Sequence, residues 1–223
     1  MEFKQYADSE MMMIDLAGII AGELRMVLSH DDTATLAVPG GTTPGPIFDS
    51  LCAAELDWPR INVMLTDERW VPEASDRSNT RLIKQRLLTG LAASANLVPL
   101  YADAASPEHK LEQLSDDVTE ALPLTCCLLG MGEDMHTASI FPGADRLEKA
   151  LKTEQPLVPM RAAGAPEPRI TLSAHAINSA LHKHVVIIGD NKRAALEAAQ
   201  SLTPMQAPIM SVLQGATVHW ARS

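Results

Sequence analysis

Residues 130–139, GMGEDMHTAS, place an acidic side chain two positions before a histidine, directly after a run of apolar residues. A carboxylate at that spacing can fix the tautomer of an imidazole and raise its basicity, as a general base requires. Asp134 and His136 are therefore candidates for acid–base catalysis. The segment is not a dinucleotide-binding fingerprint, because methionine occupies position 135, where that pattern needs glycine. An exposed loop histidine without function has the same local sequence.

A glycine-rich segment, GGTTPG at residues 40–45, is the second candidate. Glycines let backbone N–H groups approach a ligand closely, and the N-terminus of a following helix favours an anion. The hydroxyl groups of Thr42 and Thr43 can add hydrogen bonds. No Gly-Lys-Ser/Thr follows, so this is not a Walker A loop. Gly40, Gly41, Thr42 and Thr43 are candidate phosphate ligands, and a plain turn between a strand and a helix is the alternative.

Three cationic residues lie at the ends of other predicted strands, two after a strand and one at its start. Asp67 and Arg69 come directly after a buried strand and point to the same side if the chain stays extended. Arg169 begins an extended segment, and Lys192 opens a helix, where a cation opposes the helix dipole. All three cations can face a phosphate group. An ion pair at a strand end explains Arg69 equally well, and an ordinary surface lysine explains Lys192.

The sequence predicts neither a metal site nor a serine nucleophile. It contains no His-x-x-x-His or Cys-x-x-Cys pair, and His182 and His184 flank the start of a strand rather than facing His136. Ser139 follows the candidate base by three positions, but no Gly-x-Ser-x-Gly segment surrounds it.

Helical and extended patterns alternate along the chain and position these candidates. Helices are predicted over residues 9–29, 79–89 and 191–201, from Pro44 onward, and from the capping residues Ser106 and Ser173 to about residues 121 and 181. Strands are predicted over residues 36–38, 61–65, 97–100, 126–129, 169–172, 185–188 and 216–220, and residues 143–165 are not assigned. This alternation indicates one α/β domain over residues 1–223, with a mainly parallel, doubly wound sheet flanked by helices. Ligands bind at the carboxyl ends of such strands, so the candidate segments should converge.

Composition narrows the classes of partner. The 28 acidic and 18 basic residues give a net charge of −10, which argues against nonspecific binding to nucleic acid or to anionic membranes. No apolar run is long enough to span a membrane, and the first residues lack the pattern of a signal peptide. Three cysteines do not make a disulfide framework, so a cytoplasmic location is expected. The sequence leaves monomer and homodimer open.

Four segments together resemble the glucosamine-6-phosphate isomerase/6-phosphogluconolactonase family. They are PGGTTPGPIFDSL, TDERWVPEASDRSNTRLIKQRLL, LLGMGEDMHTASIFPGAD and PRITLSAHAINSA with VVIIGDNKRAALEAA, in the family's order and spacing. The similarity runs from about residue 10 to about residue 200, and more loosely to Trp220. It implies a fold like that of sugar-phosphate isomerases and deaminases. It also implies hydrolysis of 6-phospho-D-glucono-1,5-lactone in the oxidative pentose phosphate pathway, with no metal or organic cofactor.

The resemblance also implies roles for individual residues. His136 is the catalytic base, supported by Asp134, and residues 40–43 hold the substrate phosphate together with Arg169 and Lys192. Arg69 lies near the phosphate or the sugar. Backbone N–H groups of residues 130–132 are candidate donors to the oxyanion. Met135 stands where the family usually has glycine. Methionine should restrict the backbone conformations that the loop can adopt, because it disfavours positive φ.

Two alternative functions remain at this stage. The first is a glucosamine-6-phosphate deaminase, which shares this pattern of segments. In that reaction the acid at the position of Asp67 abstracts a proton from the substrate. The deaminases carry a glutamate five residues after the loop histidine and a tyrosine after Asp-Glu, where this chain has Phe141 and Arg69. Both differences favour the lactonase. A sugar-phosphate sensor without catalysis would keep the phosphate ligands but would not need Asp134 and His136.

Overall fold

The computed structural model describes residues 1–223 and contains ten strands and seven α-helices. The strands are β1 (Glu2–Gln5), β2 (Ala34–Val38), β3 (Ile61–Leu65), β4 (Asp67–Arg69), β5 (Asn96–Val98), β6 (Cys126–Gly130), β7 (Leu157–Met160), β8 (Arg169–Leu172), β9 (His182–Ile188) and β10 (Ala216–Ala221). The helices are α1 (Ser9–Leu28), α2 (Gly45–Leu51), α3 (Asn79–Arg86), α4 (Leu111–Ala121), α5 (Leu147–Lys152), α6 (Ala174–Asn178) and α7 (Asp190–Ala199). None of the helices has the length and apolar character that crossing a bilayer requires.

Seven strands form one sheet in the order β1-β10-β9-β6-β2-β3-β5, and all its pairs are parallel. The central strands β2, β3, β6 and β9 are almost entirely buried, because helices cover both faces of the sheet. The predicted α/β class with a mainly parallel, doubly wound sheet is confirmed. One hydrophobic core contains residues from this sheet, from the helices and from the smaller sheet described below. The assignment of residues 1–223 to one domain stays a prediction.

The direction of winding reverses between two neighbouring strands, β2 and β6. From β2 the chain proceeds to β3 and β5 on one side, and from β6 it proceeds to β9 and β10 on the other side. Such a reversal opens a crevice at the carboxyl ends of the two strands. The glycine-rich segment follows β2 and the histidine segment follows β6, so both candidate segments border this crevice.

A second, antiparallel sheet of three short strands in the order β4-β8-β7 was not predicted. Residues 67–69 and 169–172 pair within it, although they lie about a hundred residues apart in the sequence. The unassigned residues 143–165 contain α5 and β7, and β1 was also missed. Short strands of three or four residues carry little periodicity, and nothing local identifies a distant partner.

Polar side chains begin three of the helices. Asp8 accepts a hydrogen bond from the backbone N–H of Met11 at 2.8 Å and starts α1. Ser78 and Ser173 cap α3 and α6 in the same way, as predicted. The predicted helix from Ser106 begins instead as a 3-10 turn, Pro107–Lys110, before α4.

An ion-pair cluster ties this turn to the chain that follows β7. The carboxylate of Glu108 accepts hydrogen bonds from Arg161 Nη1 at 2.7 Å and Nη2 at 3.1 Å. Arg146 Nη2 lies 3.0 Å from the same carboxylate. The hydrogen bonds from Arg161 lower the pKa of Glu108 to about 2.

Replacing Glu108 by glutamine is expected to lower the free energy of unfolding by about 1 kcal/mol at neutral pH, since solvent screens this half-buried pair. The folded carboxyl has a lower pKa than the roughly 4.3 of an unfolded chain. The stabilisation is therefore present above that value and is lost as the pH falls towards about 2. Urea unfolding of wild type and Glu108→Gln should differ near neutral pH and converge in acid. Glu112→Gln, at an exposed position on α4, is the control, and an undiminished difference near pH ~3 would contradict the assignment.

Candidate active site

The crevice between β2 and β6 holds a cavity of about 380 Å³. Eight of the ten predicted site residues line it: Gly40, Gly41, Thr43, Asp67, Arg69, His136, Arg169 and Lys192. The other two, Thr42 and Asp134, do not line the cavity, and both are exposed. Five separate segments of the chain thus converge on one space, because the strands that precede four of them, β2, β3, β6 and β9, end at the same edge of the sheet.

His136 is held by the carboxylate predicted to support it. Asp134 Oδ1 lies 2.5 Å from His136 Nδ1 and also accepts a hydrogen bond from the backbone N–H of His136 at 3.3 Å. A carboxylate can only accept a hydrogen bond, so His136 Nδ1 carries the hydrogen and donates it, which leaves the lone pair of the neutral tautomer on Nε2. The ring of Phe141 packs against the imidazole, with 4.4 Å between centroids. The imidazole is thus fixed in the tautomer that can accept a proton at Nε2.

The backbone around His136 forms a tight turn that uses an unfavourable conformation. Gly132 N–H donates to the carbonyl of His136 at 3.0 Å, and Met135 N–H donates to the carbonyl of Gly132 at 3.0 Å. Met135 has a φ of 66°, so it adopts the left-handed conformation that glycine favours. That conformation costs a methionine about 1 kcal/mol, which the hydrogen bonds of the turn offset. The Gly132 N–H is engaged within the turn, and it is therefore not a free donor for an oxyanion.

Two arginines face each other across β4 and β8. Arg69 and Arg169 occupy opposed positions in the antiparallel register, an arrangement that is unfavourable for like charges. The Nε atoms of both side chains are buried without a hydrogen-bond partner. Burial lowers the pKa of Arg169, although a guanidinium stays protonated in proteins. Asp67 Oδ2 lies 3.8 Å from Arg169 Nη1 and offsets only part of this charge. An anionic group in the cavity would satisfy both arginines.

Two glycines of the glycine-rich segment are required for different reasons, a close contact at Gly40 and a positive φ at Gly41. A Cβ atom on Gly40 would overlap the side chain of Asn79, and Gly41 has a φ of 81°. Lys192 lies in the first turn of α7, after Gly189 with a φ of 95°. Backbone N–H groups, two guanidinium groups and one ammonium group therefore border the same cavity. That set of donors suits a phosphate group.

The family model described as glucosamine-6-phosphate isomerases/6-phosphogluconolactonase matches residues 7–220. The chain belongs to this family. A 6-phosphogluconolactonase of Rhizobium meliloti strain 1021 is 40% identical over 215 residues, covering 92% of each chain. A 6-phosphogluconolactonase of Pseudomonas aeruginosa is 38% identical, covering 92% of this chain and 88% of that protein.

Solved structures of family members superpose on the whole chain. The crystal structure of a 6-phosphogluconolactonase from Shewanella baltica OS155 has a TM-score of 0.96 at 31% identity, covering 99% of this chain and 97% of that one. A monomeric glucosamine-6-phosphate deaminase has a TM-score of 0.81 at 17% identity, covering 100% of this chain and 98% of that one. The second match shows a shared fold and no more. The resemblance read from the four sequence segments is thereby confirmed.

Three residues organise this cavity through contacts that the sequence did not predict. Ser139 is fully buried, and its Oγ donates to Asp67 Oδ2 at 2.6 Å. Asn79 Nδ2 donates to the backbone carbonyl of Asp67 at 3.0 Å. The buried carboxylate of Glu68 accepts hydrogen bonds from the backbone N–H groups of Arg69, Asn79 and Thr80. The polar run at residues 66–69 was the only signal for these contacts, because their partners lie far away in the sequence.

Replacing Ser139 by alanine is expected to lower the free energy of unfolding by about 1–3 kcal/mol, because it leaves a buried carboxylate oxygen of Asp67 without its donor. Ser50→Ala is a matched control, since the exposed Ser50 hydroxyl donates only to the carbonyl of Pro46. The control should change stability by less than about 0.5 kcal/mol. Urea unfolding curves measure both, and equal effects of the two substitutions would contradict the role of Ser139.

Proposed function

We propose that this chain hydrolyses 6-phospho-D-glucono-1,5-lactone to 6-phospho-D-gluconate, in the oxidative pentose phosphate pathway. The observation that carries the proposal is the presence of two kinds of group in one cavity. An imidazole oriented by a carboxylate lies in the same space as two arginines with unpartnered, buried Nε atoms. The relatives named 6-phosphogluconolactonase support the choice of substrate.

His136 acts as the general base in this proposal. Its Nε2 takes a proton from a water molecule, and the water oxygen forms a bond to the lactone carbonyl carbon. The tetrahedral intermediate then collapses, the bond to the ring oxygen breaks, and the imidazolium returns its proton to that oxygen. Asp134 stabilises the imidazolium through Nδ1–H. Acid–base catalysis of this kind contributes roughly 10² to 10⁴ in rate.

The phosphate group anchors the substrate at the other side of the cavity. Arg169 and Lys192 supply charge, residues 40–43 supply backbone N–H groups, and Arg69 contacts the phosphate or the neighbouring sugar hydroxyls. Binding energy from this remote group positions the carbonyl at the imidazole. The negative net charge of −10 would repel an anionic substrate, so this local cluster of cations is required.

The two alternative functions find less support in the site. Asp67, which would be the base of a deaminase, is only 7% exposed and is engaged by Ser139 and Arg169. Phe141 packs on the imidazole where the deaminase pattern has a glutamate. A sensor without catalysis has no use for the contact between Asp134 and His136. We place the reaction in the cytoplasm. The enzyme acts on a small phosphorylated lactone and has no nucleic acid or membrane partner. Monomer and homodimer both stay open.

The test is turnover of freshly generated 6-phosphogluconolactone at mildly acidic pH, where spontaneous hydrolysis is slower, in the presence of EDTA. Wild type should accelerate hydrolysis, and His136→Ala should lose about 10²- to 10⁴-fold in kcat, with KM nearly unchanged. No acceleration by folded wild type would reject the lactonase, and near-normal turnover by the variant would reject the base.

Gly132→Ala is the companion variant for the position of the imidazole. A Cβ atom at residue 132 would overlap His136 Nδ1 and Asp134 Oδ1, so the imidazole has to move although both side chains remain. We expect kcat to fall by about 10-fold or more, because small displacements of catalytic groups are costly. Inhibition by 6-phosphogluconate should be retained, which separates loss of positioning from loss of the phosphate site.

A further inference from the structure

A cluster of metal-binding side chains lies at the end of the sheet opposite to the cavity. Cys126 and His182 are the first residues of β6 and β9 and are partners in the parallel register. The cavity is lined by Leu128, Leu129 and Gly130 of β6, and Gly130 at the other end of this strand leads into the histidine segment. Four residues of a strand span about 13 Å. The cluster is therefore separate from the proposed catalytic site.

Three segments that are distant in sequence supply the cluster. Ligand atoms of Glu23 on α1, Cys126 on β6 and His184 on β9 all lie within 4.8 Å of one another. The Glu23 carboxylate oxygens lie 3.1 Å and 2.9 Å from His184 Nε2. His182 Nδ1 lies 3.3 Å from Glu23 Oε1. Neighbouring ligands of a tetrahedral zinc ion are about 3.3–3.8 Å apart, given bond lengths of about 2.0–2.3 Å.

We propose that Glu23, Cys126 and His184 bind one zinc ion, and that His182, which contacts Glu23 but lies outside the group within 4.8 Å, turns its partly exposed side chain towards the ion as the fourth ligand. A thiolate, two imidazoles and a carboxylate form a four-ligand set of the kind that zinc prefers, whereas magnesium and calcium prefer oxygen ligands. The ion joins α1 to two central strands of the sheet, so its role is structural. His182 has a side chain that is 38% exposed and Glu23 one that is 13% exposed, which leaves a path for the ion from solvent.

Hydrogen bonds behind His184 have the direction that a bound cation requires. Tyr6 donates its single hydroxyl proton to Asp15 at 2.8 Å, so Tyr6 Oη accepts from His219 Nδ1 at 2.9 Å. His219 is buried, and as a neutral imidazole it then accepts at Nε2, which lies 3.0 Å from His184 Nδ1. His184 must therefore donate from Nδ1, and its Nε2 faces Glu23. Zinc ligands are oriented by outer hydrogen bonds of this kind.

A proton on His184 Nε2 would produce the same pattern of hydrogen bonds. In that case Glu23 and His184 form an ion pair, and Cys126 remains a buried thiol beside them. The experiment therefore has to distinguish a proton from a metal ion. The state of the Cys126 sulfur, thiol or thiolate, makes that distinction. Only a metal ion converts Cys126 into a thiolate ligand with its own absorption band.

The metal-free, full-length protein is titrated with cobalt(II), which takes the place of zinc and absorbs in the visible and near ultraviolet. We expect one equivalent to bind, with the intense visible bands of tetrahedral cobalt and a thiolate-to-cobalt charge-transfer band. Cys126→Ser should lose the charge-transfer band. Cys127→Ser is the matched control, because this buried neighbour points to the opposite face of the sheet, and it should keep the band.

Thermal unfolding with zinc provides a second readout. Zinc at about 100 times its Kd should raise the Tm by roughly 5–10 °C. Glu23→Gln should weaken zinc binding by about 10-fold or more, whereas Glu10→Gln, an exposed position on the same helix, should have no effect. Glu23 is partly exposed, so Glu23→Gln is expected to fold and still tests the site if Cys126→Ser does not fold.

Two results would overturn the zinc site. One is the absence of tetrahedral cobalt bands in folded wild type at millimolar cobalt, which would leave the proton as the occupant. The other is a failure of the ligand variants, seen as a charge-transfer band that persists in Cys126→Ser together with a zinc affinity unchanged in Glu23→Gln. Lactone turnover measured on the same metal-free samples should remain within about twofold of the zinc-loaded protein, because Cys126 lies about 13 Å along β6 from Gly130, where the histidine segment begins. Failure of the zinc site therefore leaves the lactonase proposal untouched.

Discussion

The carboxylate of Asp67 is the contact on which the rest of the cavity depends. It lies between the large sheet and the small one, faces Arg169 on β8, and accepts the hydroxyl proton of Ser139 from the loop that carries His136. Its backbone carbonyl accepts from Asn79 at the start of α3. One residue thus fixes the distance between the cationic side of the cavity and the imidazole. A substrate whose phosphate and carbonyl are joined by a rigid ring requires that this distance be constant.

Sequence reasoning succeeded where parallel strands dictate the geometry. The central strands are recognisable as buried apolar runs, and the carboxyl ends of parallel strands meet at one edge, so the sequence alone predicts that residues 40–43 and His136 converge. It failed where contacts join short segments across long distances. The pairing of β4 with β8, and with it the opposition of Arg69 and Arg169, has no local signal. The φ of 66° at Met135 likewise contradicts residue preference, because the hydrogen bonds of the turn override it.

The two ends of the parallel sheet carry different chemistry. The carboxyl ends present backbone N–H groups, cations and an imidazole, which suits acid–base catalysis on an anionic substrate. The amino ends carry the cluster of Glu23, Cys126 and His184, which the sequence analysis set aside because its members show no metal-binding spacing. Ligands drawn from a helix and two strands cannot be recognised from spacing, since only the tertiary fold brings them together.

The role of Asp67 is tested most directly by the kinetics of Asp67→Asn. The amide keeps the shape of the side chain but removes the charge that faces Arg169, so both the anchoring of the phosphate and the placement of the histidine loop should suffer. We expect kcat to fall and KM to rise together, with kcat/KM lower by about 100-fold, in a protein that remains folded. A rise in KM with unchanged kcat would contradict this role, because it would mean that the imidazole is positioned without Asp67.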